Sequence, residues 1–393
     1  MKKVLVITYD FPFPTNSGGK SRIYNLIKFS KSKEIEFYIY SFTRPSFKES
    51  YKKEIEKIGV SQIYTHPRKK VKDAGVLFKT FLGTSSIFKH LYYSKEAEHE
   101  ILQIIQEEKI DTVLFESFYT SFYISEKIKK MGVTQIFGTE NIEHMLYYDF
   151  AKKKPSVIRK GYLVQVSRLQ HEEENAYKEA DRILAITEEE KKYIASQTKS
   201  PIVVIPNGVN TKELEYRPKK TSGKNLLFVG NFSYFPNVDA MKFFYTEVFL
   251  KMPDVTLTVV GKNQDVLPFL ELDTRVKNVE YIEDIKDTYY DADIFVFPVR
   301  HGGGTNFKVL EAASCGTPIV AIPDRVRGLG FQEDKHYVSA ASGQDFIQGI
   351  NSLLDDKNLR EKISKNARSY VEKEYNWEMI GEKMRTVLET RSS

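Results

Sequence analysis

The stretch "FPVRHGGGTNFKVLEAASCGTPIV", Phe297 to Val320, decides the architecture. The apolar run "ADIFVFPV" (Ala292–Val299) reads as a buried strand, and Gly302, Gly303 and Gly304 form a loop at its carboxyl end. "NFKVLEAASC" then reads as a helix closed by Gly316, with Pro318 opening the next strand. Strand, loop, helix and strand make one βα unit of a parallel sheet, and ligands of such sheets gather where strands end. Three residues without side chains let a ligand lie against the backbone, and the exposed amides of a helix start favour phosphate. Lys308 adds a positive charge in the first turn, where it opposes the helix dipole unless an anion offsets it. Glu311, one turn further on the same face, can accept hydrogen bonds from two vicinal hydroxyls of the kind a ribose offers. Read alone, the same pair is also compatible with an exposed i,i+3 Lys/Glu contact after a flexible loop.

Working outward, β-branched and aromatic runs alternate with helix-length amphipathic segments. "KVLVITY", "EIEFYIYSF", "QIYTH", "DTVLFE", "TQIFGT", "RILAIT" and "PIVVIP" make a first series, and "NLLFVG", "VTLTVVG", "NVEYI", "DIFVFPV" and "PIVAI" a second. Repeated βα units of this kind predict two doubly wound, Rossmann-like α/β domains facing a central cleft. The polar stretch "TKELEYRPKKTSGK" shows no apolar period, so we expect domains at 1–207 and 225–374 joined by a linker at 208–224. Three amphipathic pieces end the chain; the last, 375–393, is expected to pack back on the first domain, with Trp377 as a packing anchor.

The 393 residues and 41% apolar content fit two domains. No apolar run approaches the ~18 residues needed to span a bilayer, and the first one meets Tyr9 and Asp10 too early for a signal peptide. A single cysteine, Cys315, rules out an intramolecular disulfide and fits a reducing, cytoplasmic setting. The net charge of +6 resides in the N-terminal half, with 34 Lys+Arg against 26 Asp+Glu in residues 1–200. "YTHPRKKVKDAGVLFKTFLGTSSIFKHLYY", Tyr64 to Tyr93, holds six Lys/Arg and one acid. It reads either as a solvated helical face packed by its aromatics or as a peripheral contact with an anionic membrane. No nucleic-acid recognition module is present.

Near the N-terminus, Gly18-Gly19 follow a strand and open a helix. Gly19-Lys20-Ser21 matches the end of a phosphate-binding P-loop, but Pro14 replaces the first glycine, and no apolar strand is expected to end in the acid that helps hold magnesium. The glycine pair can border an anion or sugar hydroxyl at bare helix amides, or simply turn the chain tightly.

Together with "PFPTNSGGKSRIYNL" (Pro12–Leu26), "ADRILAITEEEKKYI" (Ala180–Ile194), "VIPNGVN" (Val204–Asn210), "LLFVGNFSYFPNVDAMKFF" (Leu226–Phe244) and "LTVVGK" (Leu257–Lys262), the opening stretch resembles the group 1 (family 4) retaining glycosyltransferases of the GT-B fold. The resemblance runs over nearly the whole chain in motif order. It implies transfer of a sugar from a nucleotide-sugar to an acceptor without a metal or other cofactor, the donor held by the C-terminal domain and the acceptor by the N-terminal one. The family's paired glutamates fall at Gly303 and Glu311, which keeps the ribose carboxylate and removes the one that touches the sugar. The basic pair that commonly follows the first strand of the second domain is replaced by Asn231 and by Pro236-Asn237, which leaves Lys308 as the phosphate cation. The family's histidine near the reacting sugar corresponds to Glu140 in "IFGTENIEHMLYY", with His144 one turn away.

The resemblance therefore gives Glu140, His144 and Lys308 as catalytic candidates. Gly18, Gly19, Asn231, Gly302, Gly303, Gly304, Thr305, Asn306, Lys308 and Glu311 are its donor-binding candidates. The implied activity is sugar transfer to a glycan or lipid-linked acceptor in surface polysaccharide or glycolipid synthesis. The substitutions at Gly303 and Glu140 also fit a catalytically silent partner subunit that binds nucleotide or glycan.

Overall fold

A computed structural model describes the chain except for residues 70–73, 153, 219–222, 283, 301–306 and 391–393. Its contacts divide it into two units, Met1–Pro206 with Ile380–Ser393, and Asn207–Met379.

In the first unit, β1 (Lys2–Thr8), β2 (Ile35–Thr43), β3 (Val60–Pro67), β4 (Thr112–Glu116), β5 (Thr134–Gly138), β6 (Arg182–Ala185) and β7 (Ile202–Val204) form one parallel sheet. Its order is β3-β2-β1-β4-β5-β6-β7. Val4, Leu5, Val6 and Ile7 are all buried, because helices cover both faces and every position of the strand needs an apolar side chain. Strand order reverses between β1 and β4, whose register runs from Val4↔Thr112 to Thr8↔Glu116. Tyr9-Asp10 and Ser117 therefore leave the sheet side by side at the switch point, where open α/β sheets bind ligands.

The second unit repeats the design with six parallel strands. β8 (Asn225–Val229), β9 (Thr256–Val260), β10 (Val276–Val279), β11 (Ile294–Phe297), β12 (Ile319–Ala321) and β13 (Val338–Ser339) lie in the order β10-β9-β8-β11-β12-β13. Here the reversal falls between β8 and β11, so the opening stretch of sequence leaves β11 at the switch point.

Two sequence expectations need correction. Residues 208–224 were read as a linker, yet Val209 and Leu214 are buried in the core of the second unit. The guanidinium of buried Arg368 donates to the carbonyls of Thr211 (2.8 Å) and Leu214. A buried carbonyl without a partner is costly, and Arg368 removes that cost, so the segment from Val209 to Leu214 folds onto its unit despite its polar surroundings. The second correction concerns acids at strand ends, since β4 does close with one, Glu116. In the last helix, Trp377–Glu389, Trp377 is buried and Gly381 packs so closely on Phe29 that a Cβ would stand 2.3 Å from its carbonyl oxygen. The Val387 carbonyl accepts from Arg182 Nη1 at 2.6 Å.

Candidate functional site

At the switch point of the second unit, helix Phe307–Cys315 follows β11. Gly302, Gly303, Gly304, Thr305 and Asn306 lie outside the described residues. Lys308 and Glu311 are half-buried, so they are not the exposed pair that spacing alone allowed. Lys308 Nζ donates to Asn237 Oδ1 at 3.3 Å and stands 6.0 Å from the centre of the Phe228 ring. Burial lowers its ammonium to about 8, with the Glu311 charge opposing the shift. Glu311 Oε2 accepts from the hydroxyl of Tyr289, fully buried in the core, at 2.8 Å. Burial raises the Glu311 carboxyl, while the Tyr289 hydrogen bond and the Lys308 charge pull it back.

A chain of amides supports the lysine. Asn237 Nδ2 donates to the Asn231 carbonyl at 2.7 Å, which aims its own carbonyl oxygen at Lys308. Asn231 Oδ1 in turn accepts from Ser233 N at 3.0 Å, Ser233 Oγ at 2.8 Å and Asn263 Nδ2 at 3.3 Å. The ends of β8 and β9 meet at two glycines. Gly261 has φ +154°, and a Cβ there would lie 1.8 Å from the Gly230 carbonyl oxygen, so no larger residue fits. Asn231, Lys308 and Glu311 are thus brought to one end of one sheet, joined by Asn237 and Tyr289. The role of Tyr289 was not anticipated from sequence.

The first unit gathers a second group at its own switch point. Helix Gly18–Ser30 carries Arg22, which has no exposed surface and donates from Nη1 to the Ile205 carbonyl at 2.9 Å. Arg22 Nε lies 3.5 Å from Glu116 Oε2, yet neither Glu116 oxygen has a hydrogen-bond partner among the described residues. Burial raises the Glu116 carboxyl and Arg22 opposes it. Glu140, just beyond β5, accepts a long hydrogen bond from the Tyr9 hydroxyl at 3.4 Å on Oε2, while its buried Oε1 has no hydrogen-bond partner among the described residues. Burial first, then the Glu116 charge, push the Glu140 carboxyl up to about 7, against the pull of Arg22. A Cβ on Gly19 would stand 2.5 Å from Glu140 Oε1 and 2.6 Å from Tyr9 Oη, so the glycine is needed for this approach. Gly18 opens the helix beside it.

His144 is one turn past Glu140, on helix Glu143–Lys152, but both ring nitrogens are engaged. Nδ1 lies 2.6 Å from Glu173 Oε2 and Nε2 lies 3.0 Å from Tyr193 Oη. Glu173, fully buried, also accepts from the amides of Glu143 (2.9 Å) and His144 (3.1 Å). This arrangement makes His144 a strut for the chain after Glu140. Glu143 is raised to about 8 by burial and by the charges of Glu173 and Glu140. Lys20 is taken up by Asp10 at 3.5 Å, which also pairs with Arg44 at 2.8 Å. Arg22, Glu116 and Tyr9 were missed in the sequence. The available signals were an arginine three residues after Gly19 and the acid closing "DTVLFE".

Both units match known proteins. The Glycosyltransferase Family 4 sequence model matches residues 17–213, half of the chain, and the Glycosyl transferases group 1 model matches 223–356. A GDP-mannose-dependent monoacylated alpha-(1-6)-phosphatidylinositol monomannoside mannosyltransferase of Corynebacterium glutamicum is 29% identical over 164 residues, 37% of this chain and 41% of that enzyme. The match therefore spans less than half of the mannosyltransferase. An uncharacterized 44.6 kDa protein in the cps region of Klebsiella pneumoniae is 20% identical over 390 residues, 95% of this chain and 97% of that one. Among solved structures, sucrose-phosphate synthase from Thermosynechococcus elongatus aligns with TM-score 0.72 at 16% identity over 98% of both chains. HepE from Anabaena, in complex with UDP, aligns with TM-score 0.70 at 14% identity over 99% of both. These likenesses establish the fold as GT-B, and the sequence match gives the family: the chain belongs to the group 1, family 4 glycosyltransferases.

Proposed function

We propose that this chain is a retaining, metal-independent transferase that moves a sugar from a nucleoside-diphosphate sugar to a glycan or lipid-linked acceptor. The observation that carries the donor half is the placement of Lys308 and Glu311 at the switch point of the second sheet. Cleavage of the bond from sugar to diphosphate leaves negative charge on the β-phosphate, and a lysine held on a neutral amide supplies the charge that stabilises it. The glycine run read from the sequence adds amides, and Glu311 takes the ribose hydroxyls. Retention is supported by the family resemblance, and the HepE complex with UDP supports a nucleotide ligand.

In the acceptor half, Glu140 is the group that receives the hydroxyl proton or orients the acceptor. A carboxyl raised to about 7, with one oxygen unbonded among the described residues, suits that work near neutral pH. A glycolipid mannosyltransferase and a cps-region protein among the relatives support a role in glycolipid or surface polysaccharide synthesis.

The test is a thermal-shift panel of UDP, GDP, ADP, CMP and dTDP, followed by donor hydrolysis and transfer with the nucleotide that stabilises. A Lys308→Ala protein that binds and turns over like the parent would remove the lysine from the mechanism. Nucleotide binding without any donor turnover would favour the silent partner subunit.

A further inference from the structure

The first unit holds an apolar cavity of about 370 Å³ that the donor chemistry does not use. Ile87, Phe88, Tyr147, Phe150, Ile158 and Leu169 form much of its wall. Polar side chains in the wall are few, and three of them bond to neighbouring protein groups, Tyr147 Oη lying 3.2 Å from Tyr119 Oη. Gln165 Oε1 accepts from the Ile87 amide at 3.0 Å, and the Thr80 hydroxyl donates to the Val76 carbonyl at 2.7 Å. The wall is mainly apolar, so each methylene an occupant buries here is favourable. At roughly 30 Å³ per water-sized group, the space takes about a dozen carbons of chain.

The mouth shows what the other end of the occupant carries. Phe150, Ile158 and Tyr162 line the cavity and are 44%, 47% and 40% exposed, and the neighbouring Val157 is 90% exposed. Lys154 Nζ sits 4.0 Å from the Phe150 ring centre and 5.7 Å from that of Tyr162, and Lys152 Nζ sits 4.3 Å from that of Tyr148. The segment Tyr148–Lys160 holds five Lys/Arg and one acid, Asp149. An apolar rim bearing cations matches the boundary between the chain and the anionic head of a lipid.

The inner wall adjoins the candidate acceptor residues. Phe88 packs on Tyr119 with ring centres 5.5 Å apart, and Tyr147 Oη lies 3.2 Å from Tyr119 Oη. Tyr119 packs on Tyr9 at 5.2 Å, and Tyr9 donates to Glu140. We propose that this cavity binds one hydrocarbon chain of an anionic, lipid-linked acceptor, so that the amphiphile is held beside Tyr9 and Glu140. The proposal rests on the transferase reading above and narrows its acceptor class to lipid-linked substrates. It also assigns part of the basic aromatic region Tyr64–Tyr93, through Thr80, Ile87 and Phe88, to the chain site.

Gly161 provides the test. It lines the cavity within helix Ser156–Glu179, and nothing lies within 4 Å of the position its Cβ would occupy. Gly161→Phe therefore has room for its Cβ at the lining and brings a ring to the space a chain would occupy. Ile158→Glu, at a half-exposed mouth position, puts a repelling charge there instead. Calorimetry with monomeric octyl and dodecyl phosphate, and with inorganic phosphate as control, measures binding to the full chain. We expect dodecyl phosphate to bind the parent at least tenfold more tightly than octyl phosphate, with no heat from inorganic phosphate at the same concentration. Both variants should lose at least tenfold in dodecyl phosphate affinity while keeping the parent's response to the nucleotide panel. Absence of binding, affinity independent of chain length, or equal affinity in parent and variants overturns the proposal and leaves the transferase reading intact. Lipid binding in a protein that responds to no nucleotide would instead sink the transferase reading and leave the chain site standing.

Discussion

The proton on Lys308 gives the donor site a measurable pH signature. Its ammonium is lowered from 10.5 to about 8 by burial. A diphosphate beside it favours the charged form, so binding takes up a proton wherever the free lysine has lost one. With a free-protein value near 8, about nine tenths of the molecules carry the charge at pH 7 and about one in ten at pH 9. If the bound lysine titrates above ~10, affinity falls about tenfold between these pH values, or ~1.4 kcal/mol. Calorimetry with the nucleotide found by the thermal-shift panel, in two buffers of different ionisation enthalpy, should show nearly one proton taken up at pH 9. Lys308→Arg keeps its charge throughout and should show no such slope, and Lys308→Ala supplies the nucleotide's own titration for subtraction. Parent affinity constant within twofold from pH 7 to 9, or the same slope in Lys308→Ala, would refute the reasoning.

The same shift acts on stability with the opposite sign. Between about 8 and 10.5 the unfolded chain binds more protons at this position than the folded one, so this group makes the unliganded protein more stable as pH rises through that window. At pH 7 the charged lysine burdens the fold by ~1–2 kcal/mol, a figure reduced from the full shift because the side chain is half-buried and partly screened. Lys308→Met should therefore raise the melting temperature of the free protein while weakening nucleotide binding.

Other residues give independent tests. Glu311→Ala should weaken nucleoside diphosphate binding ~10- to 100-fold and leave inorganic pyrophosphate binding within about twofold, by calorimetry; equal losses for both ligands would end the ribose assignment. Glu140→Gln should lower turnover ~10²- to 10⁴-fold and remove the rising limb of the rate profile near pH 7. The folded Glu140 carboxyl titrates above its unfolded value, at about 7. Its contribution to stability is therefore complete below about 4.5 and lost as pH rises through 7, so the glutamine variant should be more stable at pH 8, by on the order of 1 kcal/mol. Glu173→Ala strips two amides and the His144 ring of their acceptor. It should cost ~3–5 kcal/mol and lower the melting temperature by roughly 10 °C; a drop under about 3 °C would show that the strut is dispensable.

The fold was legible because parallel strands buried on both faces are written as continuous apolar runs: "KVLVIT" and "DIFVF" need no partner in view to be recognised. Lys308 and Glu311 were legible for a similar reason, being one turn apart on a single helix. What failed to show were contacts made by the fold itself. Tyr289 meets Glu311 across 22 residues of chain and Asn237 meets Lys308 across 71, so no spacing announces either pair. The start of the 208–224 stretch misled because two isolated apolar residues, Val209 and Leu214, are buried there and a distant arginine satisfies the Thr211 and Leu214 carbonyls. His144 has the spacing of a catalytic group, but Glu173 comes to it from another helix. Glu116 was overlooked although it closes a clearly apolar strand.

The character of each partner separates the candidate ligand groups from structural ones. Arg300 is held by Asp239 at 2.9 Å and Lys20 lies 3.5 Å from Asp10, so each of these cations has a carboxylate as its direct partner. The direct partner of Lys308 is instead a neutral amide, Asn237, at 3.3 Å, and the direct partner of Glu311 is a neutral phenol, Tyr289, at 2.8 Å. Neutral partners fix position without cancelling charge, and burial then works on that charge, lowering the lysine and raising the glutamate. A fold selected for stability alone has cheaper solutions, since apolar residues of similar volume avoid the desolvation cost of half-buried charges. A bound diphosphate and ribose would restore favourable interactions to both groups at once, and that gain on binding is the physical reason to place the nucleotide at Lys308 and Glu311.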